Sequence, residues 1–424
     1  MLQLPHIKSN DQAVIKGLKK RRFPDAEATI SQVLELDDKR RFVQSELDSI
    51  LNELNQISRS IGSLMKDGKR EEAELAKQTT KDLKEKSKTL GDTLSDVQIQ
   101  LEDLLYTIPN IPHEDVPEGT TSEDNPIIYE WGEFPVLNDN ALPHWELIEK
   151  YDIIDFKLGN KITGAGFPVY KGKGARLQRA LISFFLDEAE KAGYTEIQPP
   201  ILINAESGRA TGQLPDKEGQ MYQLRDEDYY LIPTAEVPIT NIYRDTIINN
   251  EDLPIKNAGY TSCFRREAGS WGAHVRGLNR LHQFDKVEIV EIQKPGDSYN
   301  ALDNMCDYVK GLLKKLELPF RMIRLCGGDL GFTSAMTYDM EVYSAAQKKW
   351  LEVSSISNFE TYQANRLKLR YKDESGKNVL LHTLNGSALA LPRIVAAILE
   401  NNQTDEGIRI PEELVKYTGF QMIK

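Results

Sequence analysis

Apolar residues recur with a helical period through much of the first hundred positions. The downstream half of this region carries a heptad series of Leu83, Leu90, Leu94, Val97, Leu101 and Leu104. The upstream half carries a series that steps by three or four residues, namely Leu47, Leu51, Leu54, Ser58, Ile61 and Met65. Series of this kind are typical of the seams along which helices pack in a coiled coil.

A polar segment with a glycine, Lys66–Glu71, separates the two series. Two long seams joined by so short a turn must fold back on each other, so residues 1–108 are predicted to form an antiparallel two-helix arm. A first helix over about residues 28–65 would be roughly 55 Å long, which exceeds what a domain core needs. Such an arm suits either a dimerising coiled coil or spacer, or a rod that contacts a long partner through its basic clusters.

The pattern changes after a proline-rich, polar segment at residues 109–126, which we interpret as a linker. Residues 174–193 then show the amphipathic period of a helix that ends at Gly193. Segments with the character of strands follow at residues 194–204, 229–243, 286–292, 338–357 and 378–391. Their hairpin-length separations predict an α+β body over residues 127–424, in which helices flank an antiparallel sheet.

Composition narrows the class of protein. The 424 residues carry a formal net charge of −12, which argues against a DNA-coating protein but leaves room for RNA at a local patch. No apolar run reaches the ~20 residues of a membrane span, and no signal peptide is predicted. The scattered cysteines Cys263, Cys306 and Cys326 predict neither a disulfide framework nor a zinc site, so a cytoplasmic location is expected. Neither a P-loop nor a dinucleotide-binding glycine motif is present.

This acidic chain concentrates four arginines in one glycine-rich stretch, Cys263–Glu288. We interpret the stretch as a hairpin that presents Arg265 and Glu267 on one face and Arg280 and Phe284 on the returning strand. Arginines bind phosphate oxygens, a glutamate accepts from an amino group, and an aromatic ring stacks on a base. The combination predicts an ATP site built on a sheet. The alternative for any single Arg–Glu pair is a salt-bridge ladder that faces solvent.

Residues 264–288, with FRREAG and RGLNRLHQFDKVE, resemble motif 2 of the class II aminoacyl-tRNA synthetases. Four further segments resemble seryl-tRNA synthetases of the bacterial type, so that the resemblance covers essentially the whole chain: ATGQLP at 210–215, PTAEVP at 233–238, LEVSSISNFETYQANR at 351–366 and HTLNGSALALPR at 382–393. The resemblance implies a class II catalytic domain preceded by a tRNA-binding arm.

The same resemblance implies the reaction. It implies activation of L-serine by ATP to seryl-adenylate, followed by transfer to the 3′ end of tRNA(Ser), and of tRNA(Sec) where that is present. Mg²⁺ is implied as a cofactor, no zinc is expected, and the partner chain is a second copy in a homodimer. Pro200 would lie at the dimer interface, or else be an ordinary proline at the end of a strand.

The family's motifs also imply which residues bind each substrate. Catalytic roles fall to Arg265, Arg280 and Arg393. The ATP-binding positions are Arg265, Arg266, Glu267, Arg280, Leu281, Phe284, Glu352, Val353, Ser354, Ser355 and Arg393. The serine-binding positions are Thr234, Ala235, Glu236, Arg265, Glu288, Asn385 and Ser387. Glu352 and Ser355 would bind Mg²⁺.

Individual roles within the ATP site follow from the resemblance as well. Arg265 would hold the α-phosphate, and Arg280 would reach the terminal phosphate. Glu267 would read the adenine amino group, with the base between Phe284 and Arg393.

Six positions depart from the family's usual motifs: Phe359, Thr361, Tyr362, Asn365, Ala388 and Pro392. None of them carries a chemical role in the resemblance, so the departures bear on loop geometry. Two other functions remain open at this point. One is a synthetase-like enzyme that acylates a carrier protein or uses another amino acid, and the other is a coiled-coil interaction protein with a non-catalytic body.

Overall fold

The computed structural model describes residues 1–216, 218–268 and 276–424, which divide into two compact units. The first unit comprises Leu2–Lys19 and Phe23–Pro109. Its helices are α1 (Leu4–Ser9), α2 (Asp11–Lys20), α3 (Ala26–Lys66) and α4 (Arg70–Thr107). Helices α3 and α4 pack side by side and reverse direction at Asp67–Lys69, so the predicted hairpin is confirmed.

The sequence predicted six seam positions on α3. Every second one of them is wrong, because it faces solvent and not the partner helix. The least exposed apolar residues of its distal part are Val43, Leu47, Ile50, Leu54, Ile57, Ile61 and Leu64. Leu51 and Met65 are instead 42% and 48% exposed, and Ser58 is exposed as well. Apolar residues stand at both Ile50 and Leu51, so local periodicity does not decide which one faces the partner helix.

The matching seam of α4 runs through Ala73, Ala76, Thr80, Leu83, Ser87, Leu90, Leu94, Val97 and Leu101. Both seams alternate steps of three and four residues, which is the heptad spacing of a coiled coil. Position by position, each seam residue of α4 also lies just one residue farther from Gly68 than its counterpart on α3. The two series therefore form successive layers along the hairpin, and whole heptads can be counted from its tip.

The second unit contains Met1, Lys20–Arg22 and Asn110–Lys424. Its helices are α5 (His144–Lys150), α6 (Phe156–Ile162), α7 (Gly172–Lys191), α8 (Ala205–Thr211), α9 (Glu236–Asn241), α10 (Ser298–Lys315), α11 (Thr361–Leu367), α12 (Leu391–Asn401) and α13 (Glu412–Thr418). Its longer strands are β1 (Ile127–Trp131), β9 (Ile255–Phe264), β10 (Gln283–Gln293), β11 (Phe320–Arg324), β12 (Met336–Ser344), β13 (Lys349–Asn358) and β16 (His382–Ala390).

Short strands complete this unit. They are β2 (Ile154–Asp155), β3 (Val169–Tyr170), β4 (Thr195–Glu196), β5 (Leu202–Asn204), β6 (Tyr222–Gln223), β7 (Tyr229–Leu231), β8 (Ile247–Ile248), β14 (Arg370–Lys372), β15 (Asn378–Leu380), β17 (Gln403–Thr404), β18 (Gly407–Arg409) and β19 (Met422–Ile423).

One eight-stranded sheet organises the second unit, in the order β1-β11-β12-β13-β16-β10-β9-β4. Every neighbouring pair is antiparallel except β4 with β9, so the predicted antiparallel sheet is confirmed. Helices α7, α10 and α12 cover one face and share its apolar core with strand residues such as Val287 and Ile289. Residues on the strands alternate between faces, so Lys286 and Glu288 point to the opposite side, toward α9.

Three local expectations were wrong. The segment at residues 229–243 is not one strand, because β7 ends at Leu231 and α9 begins at Glu236. The segment at residues 194–204 is interrupted between β4 and β5. Strand β9 ends at Phe264, so Arg265 and Glu267 do not share a strand face, and Glu267 adopts a left-handed conformation with φ of 49°.

Most of the proposed linker is packed within the second unit. Asn110 donates its backbone N–H to the carbonyl of Phe332, and Val116 is buried in the main core. Farther along, Arg324 donates to the carbonyl of Pro126. No helix in the described part of the chain is both long and apolar enough to cross a membrane.

Candidate functional site

Most of the sequence-predicted site residues gather on the sheet face opposite the helical core. Strands β10 and β16 supply Glu288 and Asn385, α9 supplies Glu236, and Thr234 lies just before that helix. The side chain of Thr234 accepts from the backbone N–H of Glu236 at 3.3 Å, which fixes the start of α9. The helix therefore aims a carboxylate at the strand face, which an extended strand in this segment would not do.

Five polar side chains in this region form one buried network. Asn385 donates its side-chain amide to Glu236 Oε2 at 2.9 Å and to Glu288 Oε1 at 3.1 Å. Glu288 is fully buried and pairs with Lys286 at 2.5 Å, and Lys286 donates to Thr234 Oγ1 at 2.9 Å. Among the described residues, the Oδ1 atom of Asn385 has no hydrogen-bond partner. A buried acceptor left open in a polar cluster suits a ligand that carries donors.

Burial shifts the acidity of the site. Desolvation raises the pKa of the Glu236 carboxyl to about 7, although a hydrogen bond from Gln363 opposes the shift. The neighbouring Glu288 raises it further, while Lys286 and Arg265 lower it. Because the pKa of Glu236 lies near neutral pH, a cation bound beside its carboxyl would ionise it fully.

Arg265 and Phe284 form the next layer of the site. The guanidinium carbon of Arg265 lies 5.2 Å from the centroid of the Phe284 ring, and its Nε donates to the carbonyl of Pro233 at 3.4 Å. The backbone N–H of Arg265 donates to the carbonyl of His282 at 2.9 Å, which continues the β9–β10 pairing by one residue. Both side chains are half-buried, and Pro233 directly precedes Thr234 of the polar network.

Glu267 and Arg280 form an ion pair with each other. Arg280 is 42% exposed and Glu267 is 13% exposed. In sequence, Glu267 precedes and Arg280 follows the segment 269–275. This segment includes part of the predicted loop and lies outside the described residues. Each side chain therefore already has a partner of opposite charge. ATP could bind both residues only by breaking this ion pair.

Arg393 is held by two backbone carbonyls from different parts of the chain. Its Nε donates to the carbonyl of Asn279 at 3.1 Å, and its Nη1 donates to that of Glu352 at 2.6 Å. The carboxylate of Glu352 lies 3.7 Å from the same Nη1. These contacts place the predicted adenine-stacking arginine beside the predicted metal ligand.

A bulge explains why Glu352 and Ser355, three residues apart on β13, share a face. Glu341 pairs with Glu352 and Met340 pairs with Ser354, so Val353 is an extra residue and the alternation shifts there. Asp339 then pairs with Ser355. The sequence did not single out Asp339; its regular alternation with Glu341 on β12 is the signal that marks it.

Asp339 is a buried carboxyl without a counter-ion among the described residues. Burial raises its pKa well above the ordinary value, and the nearby Glu352 raises it further. Its Oδ1 atom has no hydrogen-bond partner in the described structure. Within the same ranges, no three His, Cys, Asp or Glu side chains are grouped to hold a metal ion.

Several predicted contact positions turn their side chains away from this face. Leu281 and Val353 belong to the main core, and Ala235 belongs to a small core with Ile239. Ser354 donates its hydroxyl to the carbonyl of Ser387 at 2.5 Å. At Leu281, Val353 and Ala235, only the backbone is left to face a ligand.

The two remaining predicted positions are Arg266 and Ser387. Arg266 is exposed, and its backbone N–H donates to the carbonyl of Gln220 at 2.9 Å. Ser387 is buried on β16, two residues after Asn385 and therefore on the same face of that strand.

The residues that depart from the family's usual motifs fit their local surroundings. Pro392 lies in the first turn of α12, where a missing N–H costs no helical hydrogen bond. Phe359, Tyr362 and Ala388 are buried. Asn365 donates its side-chain amide to the carbonyl of Met1 at 2.9 Å.

Two family models match the chain. Residues 1–112 match the Seryl-tRNA synthetase N-terminal domain, and residues 221–402 match the tRNA synthetase class II core domain (G, H, P, S and T). The chain is 48% identical to the serine–tRNA ligase of Salinibacter ruber, over 100% of this chain and 99% of the relative. It is 46% identical to that of Akkermansia muciniphila, with the same coverage.

Solved structures agree with these matches. The seryl-tRNA synthetase of Pyrococcus horikoshii complexed with ATP superposes with a TM-score of 0.92 at 32% identity, covering 100% of this chain and 99% of that one. The cytoplasmic serine–tRNA ligase of Naegleria fowleri in complex with AMP gives a TM-score of 0.83 at 27% identity, covering 98% and 96%.

Proposed function

The chain belongs to the seryl-tRNA synthetase family, and from the geometry of its site we propose which residues carry each step of the reaction. The enzyme activates L-serine with ATP as seryl-adenylate and transfers the seryl group to tRNA(Ser). The two alternatives left open by the sequence, a carrier-protein acylase and a non-catalytic coiled-coil protein, are not supported by these relatives. The observation that carries the assignment of roles is the buried Glu236–Asn385–Glu288 network beside Arg265 and Phe284.

We assign serine binding to the buried network. The serine ammonium group pairs with Glu236, whose carboxylate becomes fully ionised in its presence. The open Oδ1 of Asn385 and the carboxylate of Glu288 accept from the remaining donors of the amino acid, including its hydroxyl. Alanine lacks that hydroxyl and would leave a buried acceptor unpaired, so its rejection is expected to be strong. Threonine is excluded by lack of room for its methyl group.

We assign ATP binding to the arginine-rich edge. The serine carboxylate attacks the α-phosphorus in line, and pyrophosphate leaves. Arg265 lies between the serine network and Phe284, so it is placed to neutralise charge that builds up on the α-phosphate and the attacking carboxylate. Arg280 exchanges Glu267 for the terminal phosphate, which frees Glu267 to accept from the adenine amino group. The adenine stacks on Phe284, with Arg393 on its other side.

The residues present fit a divalent ion. Oxygen ligands suit Mg²⁺, and Glu352, Ser355 and the newly identified Asp339 offer them on one face. The uncompensated burial of Asp339 beside Glu352 is the observation that favours a cation here. When bound, Mg²⁺ would offset the negative charge of the ATP phosphates.

We propose that the arm over residues 1–108 binds tRNA, that residues 109–126 connect it to the body, and that residues 127–424 form the catalytic domain. The match of residues 1–112 to the family's N-terminal domain supports this division. Serylation of tRNA(Sec) stays a prediction that aminoacylation of that tRNA would test.

We also propose a homodimer and a cytoplasmic location. Pro200 is exposed in the single chain, and the adjoining Ile201 and Leu202 are 40% and 41% exposed. Tyr229, on the strand paired with β5, is 44% exposed and extends this apolar edge. The three free, buried cysteines are consistent with a reducing compartment.

Serine-dependent exchange of pyrophosphate into ATP tests the proposed assignment. We expect exchange with L-serine, at least about 100-fold less with alanine, and charging of tRNA(Ser) by the same preparation. Comparable exchange with alanine would contradict the role given to the Asn385–Glu288 cluster. Exchange without charging would contradict the role given to the arm.

The pKa of Glu236 predicts a pH-dependent effect on stability. A carboxyl whose pKa is raised to about 7 binds its proton more tightly in the folded protein, so folding is penalised as the pH rises from about 4.5 through 7. Glu236→Gln removes this penalty. Without substrates, we expect the variant to unfold with up to about 3 kcal/mol more free energy than the parent at pH 8, and with little difference near pH 4.5.

Denaturant unfolding at the two pH values measures the effect, and Glu288→Gln is the matched control in the same cluster. The Glu236→Gln variant should also raise the KM for serine much more than the KM for ATP. A stability difference that is the same at both pH values would contradict the raised pKa. Equal changes in the two KM values would contradict the role in serine binding.

A further inference from the structure

A buried hydrogen-bonded network adjoins the turn Gly277–Asn279, which directly precedes Arg280. Its centre is Glu400 of α12, whose side chain is fully buried. Glu400 Oε1 accepts from the backbone N–H of His144 at 2.9 Å and from Nε2 of Gln347 at 2.8 Å. His144 Nδ1 lies 2.7 Å from the same oxygen. Ser344 donates to the other carboxylate oxygen.

The contact on the far side of the imidazole fixes its tautomer. The backbone N–H of Leu278 donates to His144 Nε2 at 2.8 Å, and both residues are buried. A backbone N–H can only donate, so Nε2 carries no proton and Nδ1 carries one, which it donates to Glu400. Although burial alone would raise it, the hydrogen bonds from His144 and Ser344 hold the pKa of Glu400 below its ordinary value.

The turn rests directly on this histidine. Gly277 has φ of +67°, and a Cβ atom at this position would lie 2.3 Å from His144 Nε2. The side-chain amide of Asn279 donates to Gln347 Oε1 at 3.0 Å, which links the turn to Glu400 by a second route. The position of the turn therefore depends on the two side chains that Glu400 orients.

The same turn carries contacts to both arginines at the ATP edge. The carbonyl of Asn279 accepts from Arg393, and Arg280 is the next residue in the chain. We propose that His144 and Glu400 are positioning residues for serine activation, because they hold the turn that places Arg280 and Arg393. This inference rests on the proposed roles of those two arginines in ATP binding.

Two substitutions separate positioning from simple filling of the core. In His144→Gln, the terminal oxygen reaches about as far as Nε2 of histidine and can accept from Leu278. In His144→Asn, the side-chain amide reaches about as far as Nδ1 and can donate to Glu400, but the Leu278 N–H is left without an acceptor. A merely structural role, centred on satisfying Glu400, would favour asparagine over glutamine.

We expect His144→Asn to lower kcat/KM for ATP in pyrophosphate exchange by roughly 10- to 100-fold, as for a buried donor left unpaired. His144→Gln should stay within about threefold of the parent, and neither change should alter the KM for serine. Equal losses in the two variants, or losses that follow their unfolding midpoints, would overturn the inference.

Arg280→Ala and Arg393→Ala distinguish failure of this inference from failure of the proposed function. If both leave the ATP kinetics unchanged, the proposed arginine roles fail, and the inference that depends on them falls too. If they impair ATP use while the two His144 variants behave alike, only the positioning role fails.

The tautomer gives an independent readout. The chain has six histidines, so selective ¹⁵N labelling of histidine, with His144 assigned by loss of its signals in His144→Gln, is practical. We expect a neutral ring with its proton on Nδ1. A proton on Nε2 at neutral pH would contradict the acceptor role on which the inference depends.

Discussion

Replacing Arg265 with alanine is expected to reduce serine-dependent pyrophosphate exchange by about 10²- to 10³-fold, or roughly 3–4 kcal/mol of transition-state stabilisation. The guanidinium lies over the Phe284 ring and donates to the carbonyl of Pro233, next to the network proposed to bind serine, so it is placed where the two substrates would meet in the proposed site. Because the anionic carboxylate and α-phosphate come closest together as the bond forms, the loss should appear more in kcat than in the KM values. Exchange kinetics with ATP and serine varied separately would measure it.

Two further variants test whether the loss depends on the guanidinium of Arg265 itself. Arg265→Lys keeps the charge but loses the planar pair of donors, so an intermediate loss is expected. Arg370→Ala removes an arginine from β14, which belongs to a separate small sheet, and should leave exchange within about threefold of the parent. Exchange by Arg265→Ala within tenfold of the parent, with the Arg370→Ala control behaving as expected, would remove Arg265 from the catalytic assignment.

The sequence suggests which residue types would form the proposed arginine-rich ATP site, but it does not specify their arrangement. Extended-strand alternation put Arg265 and Glu267 on one face, whereas β9 ends at Phe264 and Glu267 takes a left-handed backbone conformation. The side chain of Glu267 instead reaches Arg280, thirteen residues later. Such a pairing depends on where a strand stops, and periodicity does not specify that.

The residues proposed to bind Mg²⁺ show a similar limit. A regular β13 would place Glu352 and Ser355 on opposite faces, and only the bulge at Val353 brings them together. The bulge depends on pairing with β12, which is also the strand that contributes Asp339. A partner supplied by another strand has no local signal near Glu352, so sequence reasoning missed it.

The arm shows what periodicity does specify. The bounds of the first long helix were predicted within about two residues, because the turn at Lys66–Glu71 interrupts two long seams. The choice between Ile50 and Leu51 was wrong, because both are apolar and the packing partner decides between them. The corrected phase matters in practice, since a shortened arm must keep its layers in register.

Shortening the arm by whole heptads is expected to separate the two half-reactions. Deleting residues 46–66 together with residues 70–90 removes three heptads from each helix and rejoins them through the native Asp67–Lys69 turn. Val43 and Leu94 then become the first seam layer beside the turn, as Leu64 and Ala73 are in the parent. Each helix loses about 32 Å of its length. We expect pyrophosphate exchange within about threefold of the parent, because none of the assigned ATP or serine residues lies in the arm.

Charging of tRNA(Ser) should fall by at least about 100-fold in the same variant, because a rod of this length suits an RNA helix recognised through its shape and backbone. The matched control for hairpin folding deletes the same residues of α3 but two residues fewer from α4, which shifts the layers out of phase. Circular dichroism should show less helix per residue than in the parent only in this control. Intact charging by the in-phase deletion would reduce the removed part of the arm to a spacer. Loss of exchange in a folded protein would instead show that this part supports the active site, because the deletion removes no residue assigned to ATP or serine binding.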